Sequence, residues 1–509
     1  MIAWIPDLLY IDRRFQSGVA LVCDEAGTIV KVARLDELRD ETRINLPRRA
    51  ILPGMVNAHS HAFQRVIRGK TEYRSNERSF SGGLPPSGSG SSPTLNKSKD
   101  SFWTWREMMY SAATRLTPED IYDASRMAFL EMAMSGITAV GEFHYLHHAP
   151  DGMPYDDPNV LAKEVIRAAS DVGLRIALLR VAYARSGFQT EPNPKQARFI
   201  ETDPGTHLKN LERLIRDLDR GISPTVREGS SSIAESGALP HGRASDTVWI
   251  GVAPHSIRAV PLPYLKEVVA YANEQDLKVH MHVAEQPAEV SACIEEHGRT
   301  PVALLETEGL LSDRFTAVHA IHVTPKAIPS FAKTGAMVCA CPTTERNLGD
   351  GVVPADEYLK NGVAICLGTD SHTQIDLLED ARELEYHLRL QRLERAVLDQ
   401  QSQASSLKSQ ALAALLFDCA TVNGARSVGA PNGSLDAGKP ADFLTVDLDE
   451  PSIAGASTDD LLPTIVFSSS RAAVREVVVG GKPIVSEGQH LIQEEVVERF
   501  TDLQKRLWN

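Results

Sequence analysis

His59 and His61, closing the apolar run AILPGMVNAHSH (50–61), have the types and spacing that chemistry needs. In an extended segment, residues two apart share a face. Both imidazoles therefore project to one side, where a zinc-type ion takes nitrogen ligands. The run KVHMHVAE (278–285) repeats the pattern with His280 and His282. His282 lies nearer the end and is the better ligand, while His280 sits deeper and can simply pack. Glu285 follows three residues after His282, where a carboxylate can reach a metal-bound water, although a His–Glu pair alone also suits a surface hydrogen bond. FTAVHAIHV (315–323) supplies His319, with His322 behind it, and AICLGTD (364–370) ends on Asp370, a residue type that also caps helices. Their concurrence at one kind of position points to a joint site, because packing alone does not call for it.

Those positions depend on the elements around them. With ITAVGEF (137–143), RIALLRVA (175–182), VWIGVAP (248–254) and AMVCACP (336–342), the four runs above make eight apolar segments of strand length. Between them lie stretches of helical periodicity such as PLPYLKEVVAYANEQ. Eight such strands alternating with helices predict an α/β fold, a parallel (β/α)8 TIM-like barrel with its chemistry at the C-terminal strand ends. The flanks alternate in strand fashion, with a turn signal at Glu25-Ala26-Gly27 and a hairpin signal at Gly480-Gly481. Both ends together predict a discontinuous small β-sandwich, residues 1–50 and 430–509, around a barrel of residues 51–429. Two Gly/Ser/Pro-rich stretches, 81–93 and 223–246, cannot supply a core and read as surface loops. The first falls in a strand-to-helix connection on the predicted active face, where either a lid or a bland insertion fits.

Against 67 Asp+Glu stand 53 Lys+Arg, a net charge of −14 that repels polyphosphate and disfavours nucleic acid as a partner. Hydrophobic residues at 42% and charged residues at 24% are ordinary for a globular chain. No apolar run reaches the roughly 18 residues of a membrane span. The opening MIAWIPDLLYIDRRF has neither a basic region nor a small-residue cleavage site. A cytoplasmic protein without membrane contact is expected, with a homodimer as its assembly. The six cysteines, at 23, 293, 339, 341, 366 and 419, are mostly embedded in apolar runs and read as reduced core residues; Cys339 and Cys341 lack the second pair of a zinc knuckle.

PGMVNAHSHAF, HMHVAE, the isolated His319 and GTDSH resemble the strand-one, strand-five, strand-six and strand-eight signatures of the amidohydrolase superfamily. GSLDAGKPADFLTVD resembles its return into the β-sandwich. Where many dinuclear members end strand four with a carboxylated lysine, this chain reads VWIGVAPHS, which resembles the mononuclear deaminase branch. The resemblance implies one divalent ion held by His59, His61, His282 and Asp370. Zn2+ is preferred for such a set, with Fe2+ or Mn2+ as other fits. It also implies Glu285, His319 and Asp370 as the catalytic groups. A narrower resemblance, in HSHAFQR, SFWTWREMMY, EFHYLHH, PHSIRAV, HVAEQ, ERNLGDG and GTDSH, is to the formimidoylglutamate deiminase family. Members of that family hydrolyse N-formimino-L-glutamate to N-formyl-L-glutamate and ammonia in histidine degradation. The two Gly/Ser/Pro-rich insertions depart from the family pattern without removing a matched residue.

A small dicarboxylate substrate requires cations gathered locally in an otherwise acidic protein. Arg106 follows the first strand, Arg258 and His255 follow the fourth, and all three fall on the predicted active face. Arginine presents a planar fork to a carboxylate, and Gln64 and Tyr145 add neutral donors. His144, His147 and His148 lack a carboxylate at useful spacing and read as loop or supporting residues. Two readings compete. One is a deaminase of the same branch acting on a guanine-like or other aromatic amidine, which calls for stacking aromatics and amide-type recognition instead of the arginines. The other is a non-catalytic barrel, which predicts a lost ligand position.

Gly/Ser/Pro linkers bury little apolar surface, so deleting residues 82 to 92 is expected to leave the melting temperature nearly unchanged. Lost activity at an unchanged melting temperature would identify a lid, and collapse of the fold would overturn the surface-loop reading.

Overall fold

The computed structural model describes residues 1–72, 102–220, 247–399 and 410–508. Both Gly/Ser/Pro-rich stretches lie outside the described residues. Eight parallel strands follow one another in chain order around a barrel: Met55–Ser60, Ile137–His144, Arg175–Ala182, Val248–Pro254, Val279–Val283, Phe315–His319, Met337–Ala340 and Ile365–Leu367. Nearly every residue on them is buried, as expected of parallel strands with a packed interior and a jacket of helices.

The ring closes where Ser60 bridges Asp370. The Asp370 amide donates to the His59 carbonyl at 3.0 Å, and the His61 amide donates to the Asp370 carbonyl at 3.2 Å. A buried polar seam backs this junction. The Asn57 side chain bonds Thr369 through Nδ2 to Oγ1 at 2.8 Å and takes the Thr369 amide at 3.0 Å. His372 then links Thr369 Oγ1, 3.1 Å away, to Ser60 Oγ, 3.0 Å away. Ser60 donates in turn to Glu142 at 2.5 Å. Gly368 makes the approach possible, since a Cβ there would lie 2.6 Å from the Cβ of His59.

The run 50–61, expected as one barrel strand, is divided. Thr42–Pro53 belongs to a second sheet, and the chain crosses into the barrel at Gly54. The Gly54 amide is used by the Asp442 carbonyl at 3.0 Å, and a Cβ there would lie 2.4 Å from Thr138 Oγ1. Hydrophobicity is continuous through this turn because both sheets bury it, so the sequence carries no break in polarity.

The second sheet has nine strands drawn from both chain ends. The ends are joined by antiparallel pairing of Thr42–Pro53 with Phe443–Asp447, and Trp4 packs edge-on against Phe443 with centroids 5.1 Å apart. Gly480 and Gly481, at φ 57° and 72°, turn the hairpin between Val474–Val479 and Lys482–Ser486 with the two left-handed residues that a tight hairpin needs. Helix Gln493–Trp508 packs on barrel helix Pro118–Met134 through Arg126–Glu495 at 2.9 Å and Arg499–Asp123 at 2.8 Å. The six cysteines are buried free thiols, and no described helix is long and apolar enough to cross a membrane.

One buried ion pair ties the sheet to the barrel. Arg175, opening the third barrel strand, makes a fork onto Asp442 at 2.7 and 3.0 Å, and Asp442 also accepts the Gly480 amide at 2.7 Å. Removing one partner of such a pair leaves a buried charge unmatched, typically at about 3–5 kcal/mol. Asp442→Ala is therefore expected to lower the denaturant midpoint by that equivalent; an unchanged midpoint would mean that other contacts carry the joint.

Candidate metal centre and active site

His59, His61, His282 and Asp370 each bring one ligand atom to a buried cluster in which all four lie within 4.8 Å of one another. His59 Nε2 is 3.2 Å from His61 Nε2, and Asp370 Oδ1 is 3.6 and 3.3 Å from those two nitrogens. Main-chain oxygens orient the rings. His61 Nδ1 donates to the Phe143 carbonyl and His282 Nδ1 to the His255 carbonyl, both at 3.0 Å, so that each Nε2 lone pair is left for the centre. Burial lowers the pKa of all three histidines, which holds them as neutral imidazoles. Neutral imidazoles and a carboxylate, buried together with converging lone pairs, are the donor set that a single divalent ion of the zinc type requires. The residues present fit such an ion.

His319 is a different kind of group. Its Nδ1 faces Glu345 Oε1 at 3.2 Å, while its Nε2 lies 3.7 Å from both Glu285 Oε1 and Asp370 Oδ2. Burial works against a charged ring, but Glu285, the bond to Glu345 and Asp370 outweigh it and lift the pKa to about 10. The shift favours the protonated ring, and His319 Nε2 has no hydrogen-bond partner among the described residues. Burial raises the pKa of Glu285, with His319 and Arg258 opposing the rise. Ala284, His319, Ala320 and Asp370 all hold left-handed backbone, with φ of 52°, 67°, 49° and 47°. Non-glycine residues pay about 1–3 kcal/mol each for this and keep it only where neighbours enforce it. Here the enforcers include the Ala320 amide on the Val283 carbonyl and the paired bonds at Asp370.

One cavity reaches the cluster. His61, His282, Glu285 and Asp370 line it together with Gln64, Arg106, Tyr145, His255 and Arg258. His59 and His319 are fully buried behind it. Gln64 Nε2 donates to Tyr145 Oη at 2.9 Å, leaving Gln64 Oε1 without a partner among the described residues. The guanidinium carbons of Arg106 and Arg258 stand 4.3 and 5.8 Å from the Trp103 ring centroid. On both arginines Nε and one terminal nitrogen are buried and lack a hydrogen-bond partner among the described residues. His280 bonds the Ser427 carbonyl at 3.1 Å, away from the ligand cluster. His147 and His148 bond the carbonyls of Val181 and Ile200 at 2.8 and 3.0 Å, and His322 bonds that of Asp350 at 2.8 Å.

Several residues of this site were not singled out from the sequence. Glu345 sits in ERNLGDG and Trp103 and Tyr110 in SFWTWREMMY, so those motifs carried a signal, but which side chain meets His319 or the arginines depends on helix orientation. Tyr183 and Phe199, which also line the cavity, carried none.

Residues 50–484 match the profile of the amidohydrolase family. Over 455 residues the chain is 36% identical to a formimidoylglutamate deiminase of Pseudomonas aeruginosa, covering 89% of this chain and 88% of that protein. It is 25% identical over 494 residues to a 5-methylthioadenosine/S-adenosylhomocysteine deaminase of Haloarcula marismortui, covering 96% and 92%. Among solved structures, an amidohydrolase from Brucella melitensis superposes over the full length of both chains, with a TM-score of 0.81 and 31% identity.

Purified protein is expected to carry about one divalent ion per chain by elemental analysis. His59→Ala and His282→Ala should each lose it while circular dichroism stays native-like. Two tightly held ions per chain would contradict the single-ion arrangement.

Proposed function

This chain belongs to the amidohydrolase family, and from that premise we propose that it hydrolyses N-formimino-L-glutamate to N-formyl-L-glutamate and ammonia. The barrel and its metal-compatible cluster suit hydrolytic deamination or deimination in general. The observation that carries the narrower reading is the pair of arginines, Arg106 and Arg258, in the cavity beside that cluster, each with two buried guanidinium nitrogens that have no partner among the described residues. Buried donors of this kind cost free energy unless a ligand uses them. A linear amidine with two carboxylates uses both, and each planar fork can meet one carboxylate. The likeness to a formimidoylglutamate deiminase supports the same choice.

A divalent ion bound by His59, His61, His282 and Asp370 supplies the acidity that makes water a nucleophile near neutral pH. Asp370 acts as base as well as ligand and takes the proton from the attacking water. The water oxygen bonds to the formimino carbon. His319, whose carboxylate neighbours favour its protonated form, turns its Nε2–H toward the oxygen on which negative charge develops. Glu285, 3.7 Å from His319, relays to the substrate nitrogen the two protons that the attacking water gives up in turn; the C–N bond then breaks and ammonia leaves as the carbonyl forms. Gln64, Tyr145 and His255 orient the substrate from the surrounding wall.

Ammonia release from N-formimino-L-glutamate, set beside adenine- and guanine-type amidines, tests the substrate class. Losing a charge-assisted hydrogen bond costs about 1.5–3 kcal/mol. Arg106→Ala and Arg258→Ala should therefore each lower kcat/KM roughly ten- to hundredfold without changing metal content. Lysine at either position should rescue only in part. Wild-type turnover by both alanine variants would remove the dicarboxylate reading in favour of a ring amidine.

A further inference from the structure

Gln196 lies outside the cavity, in the turn Pro194–Gln196, and is 2% exposed. Its Nε2 is 2.8 Å from Tyr110 Oη and 2.6 Å from Tyr183 Oη. An amide nitrogen has two protons and no free lone pair. It therefore donates to both phenols, and since the Tyr110 hydroxyl also bonds that of Tyr183, the pair is left with one phenol proton to give elsewhere. Both tyrosines line the cavity, on the wall that carries Arg106 and Arg258. We propose that Gln196 sets the hydrogen-bond polarity of Tyr110 and Tyr183, making the coupled phenol pair a donor to an anionic group of the substrate. The tyrosines are then specificity-determining residues and Gln196 is a positioning residue. This rests on the anionic substrate proposed above and extends it from two arginines to the phenol pair beside them.

The packing supports that assignment. The Arg106 guanidinium carbon lies 5.4 Å from the Tyr110 ring centroid, so the phenol and the cation are presented together. Burial pushes the Tyr110 phenol far above its ordinary pKa, so it keeps its proton. Lys195, beside Gln196 in the same turn, pairs with Glu107 at 2.9 Å. The turn is thereby fastened to helix Phe102–Ala113, which carries both Arg106 and Tyr110. Gln196 thus joins that helix to Tyr183, which follows the third barrel strand.

The test uses full-length, metal-loaded protein with Tyr110→Phe, Tyr183→Phe, Gln196→Leu and Gln196→Glu. The readouts are metal content, kcat and KM for N-formimino-L-glutamate, and calorimetric Kd for N-formyl-L-glutamate and for glutarate. Each Tyr→Phe change is expected to raise KM and both Kd values about tenfold, with metal content unchanged. Gln196→Glu has the same size but accepts both phenol protons and adds negative charge, so it should weaken binding more than Gln196→Leu. A role in packing alone predicts the opposite order, with the isosteric Glu variant close to wild type. That order, or wild-type affinity in both Tyr→Phe variants, overturns the proposal. Absence of ammonia release by wild type would instead sink the substrate assignment, and the glutarate titration then still decides the role of the tyrosines. A wild type that binds neither dicarboxylate overturns both.

Discussion

At Asp370 the last strand of the barrel meets the first, and one residue takes part in three kinds of interaction there. Its amide and carbonyl bond to His59 and His61, closing the ring, while its carboxylate stands 3.3 Å from one of the nitrogens it has just brought near. The ligand geometry is therefore a consequence of strand register. A shift in pairing between the first and last strands would reverse which side chains face inward. The seam from Asn57 through Thr369, His372 and Ser60 to Glu142 guards that register. It is buried and made of mutually satisfied polar groups, which tolerate few alternative arrangements.

Charge around the centre is sorted over very short distances. Burial pushes the three ligand imidazoles toward the neutral form, whereas three carboxylates push His319, equally buried, toward the cation. The difference comes from partners, since desolvation acts on all four in the same direction. On the other side of the cavity, cations collect in a protein whose net charge is −14. Arg106 and Arg258 have no carboxylate hydrogen bond among the described residues, and both guanidinium groups lie near the Trp103 ring. An aromatic face accommodates a cation without neutralising it, which leaves the fork available to a ligand.

Strand periodicity and residue type determined the eight-stranded barrel, the pairing of both chain ends into one β layer, and the gathering of His59, His61, His282 and Asp370 at one end. These follow from local rules: a period of two sends alternate residues inward, and parallel strands bury both faces. The break at Gly54 was invisible because hydrophobic pattern reports burial and not which sheet does the burying. Position along the strand already ranked His282 above the deeper His280 as a ligand, and tertiary structure alone decided that His280 bonds the Ser427 carbonyl. It alone decided that Glu345 holds His319, and that Tyr110, Tyr183 and Gln196, distant in sequence, meet at one amide nitrogen. Such contacts depend on the rotation of helices and the path of connections between strands, which are set by packing across the whole barrel and leave no periodic trace in the chain.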